Sequence, residues 1–100
     1  MSNIVNMVAS TQLTDSIDLY DVSHKLGITY EAEQFPGMVY RVATPKVCIL
    51  LFRSGKAVVT GAKCEADVAE GLKVLHNDLT ENGYKMWPYE EEDIIIQNIV

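Results

Sequence analysis

Hydrophobic positions along this chain switch between two periodicities. Residues 4–13, IVNMVASTQL, are β-branched and apolar with polar interruptions, which predicts a strand. Thr14, Asp15 and Ser16 follow as helix-capping types. The stretch DSIDLYDVSHKL then sets Leu19, Val22 and Leu26 on one helical face, with Gly27 placed for a left-handed stop. Three apolar segments come next, MVYRVA, VCILLF and AVVTGA, punctuated by Phe35-Pro36-Gly37, Thr44-Pro45-Lys46 and Arg53-Ser54-Gly55-Lys56. Consecutive strands joined by short turns predict an antiparallel meander. Helical spacing returns at Val68, Leu72, Leu75 and Leu79 and ends at Gly83. An acidic run, EEED at 90–93, precedes a last strand candidate in IIIQNIV.

The meander has one feature that helices alone cannot satisfy. In Val47 to Phe52 the odd set is Val47, Ile49 and Leu51 and the even set is Cys48, Leu50 and Phe52, so both faces of the strand are apolar. Two amphipathic helices cover one face of a small sheet. The other face stays open, and an exposed apolar sheet face marks a binding surface. Asn6, Val8 and Ser10 share one parity on the first strand, and Val58 and Thr60 share one on the strand before Gly61.

Composition narrows the function class. A chain of 100 residues, 48% hydrophobic and 22% charged, is one folded domain and neither disordered nor low-complexity. Its net charge of −6 argues against a nucleic-acid partner until the charges are placed. Arg41, Lys46, Arg53, Lys56 and Lys63 lie within 23 consecutive residues that hold no Asp or Glu, so that segment carries +5 and the remainder −11. A net-acidic protein can thus present one positive surface. Cys48, Cys64, His24 and His76 have no ligand spacing, so neither a metal, a disulfide nor another cofactor is expected. The cysteines read as small filling residues, the histidines as solvated helix groups, and Met7, Met38 and Met86 as packing. Nothing pairs a nucleophile with a base, and Ser54-Gly55-Lys56 is too short for a phosphate loop, so catalysis is not expected. No apolar run approaches the ~18 residues of a membrane span, and MSNIVNMVASTQL lacks a charged leader. The expected location is cytoplasmic, associated with the nucleoid in a prokaryote, without a membrane partner.

Val5-Asn6-Met7-Val8 reappears as Gln97-Asn98-Ile99-Val100 at an offset of 92 residues, as if a second copy began there. Asn6-Met7-Val8-Ala9-Ser10-Thr11, Tyr30-Glu31, Gln34-Phe35-Pro36-Gly37-Met38-Val39-Tyr40-Arg41, Leu50-Leu51-Phe52-Arg53-Ser54-Gly55-Lys56 and Val58-Val59-Thr60-Gly61-Ala62-Lys63 together resemble the TATA-box-binding protein family, most of all its archaeal members. The resemblance covers one of the family's two tandem repeats. It implies residues 1–93 as a single repeat, similar to the N-terminal one, and 94–100 as the first strand of the second. The implied fold is α+β, a curved antiparallel sheet with two helices on its convex face, half of a saddle.

The resemblance also implies roles. The family is itself a standing example of minor-groove binding by a sheet with apolar wedges. Phe35 and Phe52, with Pro36 beside them, match the residues that kink the duplex. Asn6, Val8, Ser10, Leu50, Val58 and Thr60 match the floor that meets base edges, and Arg41, Arg53, Ser54, Lys56 and Lys63 match groups that reach phosphates. Val5 departs from the glutamine common in the family, whereas Gln97 keeps it. The implied partners are double-stranded A/T-rich promoter DNA, bent in transcription initiation, a second copy in a homodimer replacing the two-repeat saddle, and transcription factor B if a second repeat or chain is present. The rival reading is a non-catalytic protein-interaction or dimerisation module whose open face another chain covers. Edge pairing through residues 5–13 would leave that face free.

Overall fold

The computed structural model describes the backbone of residues 6–99 and the side chains of 7–97. Its strands are β1 (Asn6–Gln12), β2 (Gly37–Val42), β3 (Val47–Phe52), β4 (Lys56–Ala62) and β5 (Ile95–Ile99); its helices are α1 (Leu19–Leu26) and α2 (Glu65–Glu81). The five strands form one antiparallel sheet in the order β2-β3-β4-β1-β5. The expected meander is its β2-β3-β4 part. β1 lies inside the sheet: the edge at which pairing through residues 5–13 would leave the open face free is occupied by β5, with Val8 opposite Gln97 and Ser10 opposite Ile95.

The parity of β3 decides the layering. Val47, Ile49 and Leu51 are buried, while Cys48, Leu50 and Phe52 are half-buried. The buried set packs with Met38, Tyr40, Ala9, Ala57 and Val59 under Val68, Leu72, Leu75 and Leu79 of α2 and Leu19 and Val22 of α1. Gly71 lets α2 approach the sheet, because a Cβ there would stand 2.6 Å from Val47 Cγ2. Tyr40 donates to Asp78 on α2, tying the covered face of β2 to the helix.

α1 starts later than its capping candidates predict. Asp18, and not Thr14, Asp15 or Ser16, is the cap, accepting from the amides of Tyr20 (3.0 Å) and Asp21 (3.3 Å). The preceding residues are held elsewhere. The Leu13 amide donates to the Gly55 carbonyl (2.9 Å), the Ile17 amide to Arg53 (2.9 Å), and the Thr14 hydroxyl to the Lys85 carbonyl (2.9 Å). Gly27 ends α1 in the left-handed region, as read. At the end of α2, Gly83 (φ 92°) lets its own amide reach Thr80 (3.1 Å) and that of Tyr84 reach Leu79 (3.0 Å), satisfying the last carbonyls.

Beyond α2 the chain returns across the helical side. The Trp87 amide donates to Leu13 (2.8 Å), Tyr89 donates to the Ala69 carbonyl (3.1 Å), and His76 Nε2 donates to the Trp87 carbonyl (2.7 Å). His76 is therefore a half-buried bonded group and not a solvated one, whereas His24 is exposed. Neither cysteine fills the core: Cys48 is on the open face and Cys64 is exposed at the start of α2. No helix among the described residues is long and apolar enough to cross a membrane.

Candidate nucleic-acid interface

Strand register assembles the open face. Neighbours across an antiparallel pair share a face. Val39, Leu50, Val58, Ser10 and Ile95 therefore form one row across all five strands. Arg41, Cys48 and Thr60 make the next row, which continues through Val8 and Gln97. Between Thr60 and Val8 lies a bulge: two steps along β1, from Met7 to Ala9, face three along β4, from Ala62 to Val59. Gly61, at φ 81°, takes the extra residue. The bulge reverses parity, so Thr60 faces outward and Ala62 is buried. Thr60 Oγ1 donates to the Cys48 carbonyl (3.3 Å), which hides one of the few polar groups of this surface.

The aromatic pair stands at one end. Phe35 is 40% exposed and Phe52 is half-buried, with ring centroids 6.1 Å apart and planes at 55°. Gly37 lies opposite Phe52 in the ladder. A Cβ on Gly37 would sit 2.9 Å from the Phe35 ring and 3.0 Å from that of Phe52, so the missing side chain is what lets both rings stand over the backbone. Pro36, between them in sequence, is exposed.

The cations divide into two banks. Arg41 and Lys63, with Lys46, border an open hollow of 670 Å³ floored by Val47, Cys48 and Thr60. Arg53 and Ser54 in the β3–β4 turn and Lys56 at the start of β4 lie at the opposite end of β3, all exposed. Six residues of strand at ~3.4 Å each put the banks roughly 17 Å apart, with the apolar rows between them. Arg53 and Ser54 share an 870 Å³ hollow with Asp18 and Tyr20 at the start of α1, so Arg53 has an acid nearby. The ion pairs among the described residues, Lys25–Asp21 and Lys73–Glu91, use none of these cations.

Most of the sequence-predicted residues thus come together on one face, whereas Arg53 and Ser54 border the hollow beside the start of α1; three further qualifications apply. Asn6 holds its register place opposite Ile99, but its side chain, and Val5 altogether, lie outside what the structure describes. Gly37, read as a turn residue, is the first residue of β2 and the platform of the aromatic pair. Val39 and Ile95 have no part in the sequence reading of the site, and Cys48, Lys46 and Gln97 enter that reading without a site role; parity nominates Cys48, whereas the others need the register and the hollow. Among the described residues every buried side-chain N and O is hydrogen-bonded, and no three His, Cys, Asp or Glu side chains gather as a metal site requires.

A family model described as transcription factor TFIID (or TATA-binding protein, TBP) matches residues 1–82. The chain belongs to the TATA-binding protein family. It is similar to TATA-box-binding protein E of Halobacterium salinarum, 46% identical over 99 residues that cover 98% of this chain and 52% of that protein. The TATA-box-binding protein of Thermoplasma volcanium is 45% identical over 98 residues, covering 97% and 52%. The solved structure of Methanococcus jannaschii TBP superposes with a TM-score of 0.78 at 41% identity over 95% of this chain and 53% of that one. The chain spans about half the length of the curated relatives it matches, the extent of one TATA-binding protein repeat. The open antiparallel sheet with two helices is the fold expected for half a saddle.

Proposed function

We propose that this chain is a promoter-recognition module that binds and bends A/T-rich DNA through the minor groove. The observation that carries the proposal is the open face itself. A five-strand row of half-buried and exposed side chains runs between two cationic banks, with a paired Phe35 and Phe52 at its end. A face so poor in free donors suits the minor groove, where A·T pairs lack the guanine amino group and apolar contact discriminates. Arg41, Lys56 and Lys63, with Arg53 and Ser54, hold phosphates on the two margins; Asn6, Val8, Ser10, Leu50, Val58 and Thr60 meet base edges; Phe35, Pro36 and Phe52 open a base step.

One chain supplies one half-site, so a homodimer replaces the two-repeat saddle. Residues 1–93 act as the repeat, and 94–100 stand for the first strand of a second. Transcription factor B engages the assembly only when a second repeat or chain completes it. The test is energy transfer across a doubly end-labelled TATA duplex, with a G/C-rich control. A TATA-selective rise, second order in protein and abolished by Phe35→Ala with Phe52→Ala, supports the reading. Bending unchanged in that variant removes the wedge, and binding indifferent to sequence removes promoter recognition.

A further inference from the structure

The aromatic pair is assembled from two parts of the chain that meet over one residue. Phe35 closes a turn in which the Gln34 and Phe35 amides both donate to the Glu31 carbonyl (3.0 and 2.9 Å). Pro36 follows, and a residue before proline is held to extended backbone. Phe52 ends β3, and its carbonyl accepts from the Gly55 amide (2.9 Å). Both backbones are thus fixed, and each ring keeps only its side-chain torsions.

Beneath the rings stands the first residue of β2. Gly37 is opposite Phe52 in the ladder and therefore shares the open face with it, two residues before Val39 and four before Arg41. Val39 is half-buried there and Arg41 is exposed, yet Gly37 is buried. Its cover is the two rings: the atoms nearest a Cβ built on Gly37 are Phe35 Cε2 (2.9 Å) and Phe52 Cε1 (3.0 Å). Carbon atoms in contact settle about 3.5–4.0 Å apart, so one methyl group would drive both ring tips away. The backbone itself does not call for glycine. Gly37 is an ordinary strand residue, unlike Gly27, Gly55, Gly61 and Gly83, whose φ is positive.

We propose that Gly37 is the positioning residue of the aromatic wedge: the slot left by its missing side chain sets where both rings stand and thereby how far a duplex is bent. The bending rests on the promoter reading above; the placement of the rings does not. Placement and stability are separable at this position. A methyl group on Gly71 would meet the core at Val47, and one on Gly55 the Thr14 backbone, whereas one on Gly37 meets only the far ends of two side chains on the open face. Alanine in an unstrained strand position also narrows the unfolded ensemble, which offsets what the displaced rings lose.

Gly37→Ala in the full chain tests this with and without DNA. The chain has only two phenylalanines, so phenylalanine-selective labelling isolates the pair in a nuclear magnetic resonance spectrum. The ring-to-ring Overhauser contact of the parent should be lost in Gly37→Ala, while the melting temperature stays within about 4 °C of the parent's. On a TATA duplex the variant should bind about fivefold more weakly, as for one ring forced off its rotamer, and give a smaller rise in energy transfer at saturation. In a Phe35→Ala, Phe52→Ala background the methyl group strikes no ring, and adding Gly37→Ala should change affinity by less than about twofold. An unchanged ring contact, or bending equal to the parent's, overturns the assignment. So does a melting temperature that collapses, or a loss of affinity that persists in full without the rings. A parent that bends no duplex removes the promoter reading, and the ring contact in the free protein then decides the placement.

Discussion

Leu50 and Leu51 are the same side chain on consecutive residues of β3, and they separate folding from binding. Leu51 is 0% exposed beneath the helices. Leu50 is half-buried on the open face, in the row between Val39 and Val58. Leu51→Ala removes a fully buried side chain and leaves a cavity, a loss of about 3–4 kcal/mol. Leu50→Ala forfeits about half of a leucine's burial and opens no cavity, a loss of about 1 kcal/mol. For a domain of this size those losses lower the melting temperature by roughly 15–20 °C and roughly 5 °C. Binding should rank the other way. At a temperature where both variants are folded, Leu51→Ala should bind a TATA duplex like the parent, and Leu50→Ala about fivefold more weakly, the equivalent of about 1 kcal/mol of lost apolar contact. Thermal melts by circular dichroism and an anisotropy titration measure the two effects. Equal melting losses, or a larger one for Leu50→Ala, would refute the assignment of faces.

Three further outcomes follow from the same geometry. Gly55→Ala should cost more than about 3 kcal/mol in urea unfolding, because its Cβ would stand 2.0 Å from the Thr14 carbonyl oxygen at φ 86°. Gly61→Ala, at φ 81° but in open space, should cost only about 1 kcal/mol. Burial and nearby carboxylates push Tyr84 and Tyr89 up to about 12, and burial with the Asp78 hydrogen bond pushes Tyr40 higher still. The unfolded tyrosines ionise near pH 10, so these contributions are intact below that pH and are lost as it rises toward the folded values. Urea midpoints measured from about pH 9 to 11.5 should fall, and fall less steeply in Tyr40→Phe. Lys63→Ala should lower duplex affinity on TATA and G/C-rich sequences alike and shrink the salt slope of log K by about 1, as titrations at several ionic strengths can show.

Much of the architecture is legible in local pattern, since periodicity and caps act over a few residues. The two apolar parities of Val47 to Phe52 announce an open face, and the spacing of Val68, Leu72, Leu75 and Leu79 announces the helix that covers the other. What local pattern does not carry is pairing at long range. That β1 lies between β4 and β5 depends on contacts across about half the chain and nearly all of it, which no neighbouring residues encode. The delayed start of α1 has the same origin, because the Thr14 hydroxyl is claimed by the Lys85 carbonyl and the Ile17 amide ties the following backbone to Arg53. Phe35-Pro36-Gly37 reads as a turn, and only the ladder reveals that Gly37 clears space for two rings. Gly61 likewise reads as a strand ending until the register shows it stepping the face over by one residue.

The hairpin turn at Arg53–Lys56 is laced to the corner between β1 and α1 at three successive carbonyls. Arg53 accepts from Ile17, Ser54 from the Gln12 side chain and Gly55 from Leu13. The Gly55 amide, in turn, bonds the Phe52 carbonyl (2.9 Å). A hairpin tip fastened this way behaves as a fixed anvil and not as a flexible flap. Its amides should be among the slower loop protons to exchange, and the base of the Phe52 ring has little freedom to retreat. Whatever is pressed against that ring meets a stiff support, so in any complex formed there the bending strain is borne by the ligand.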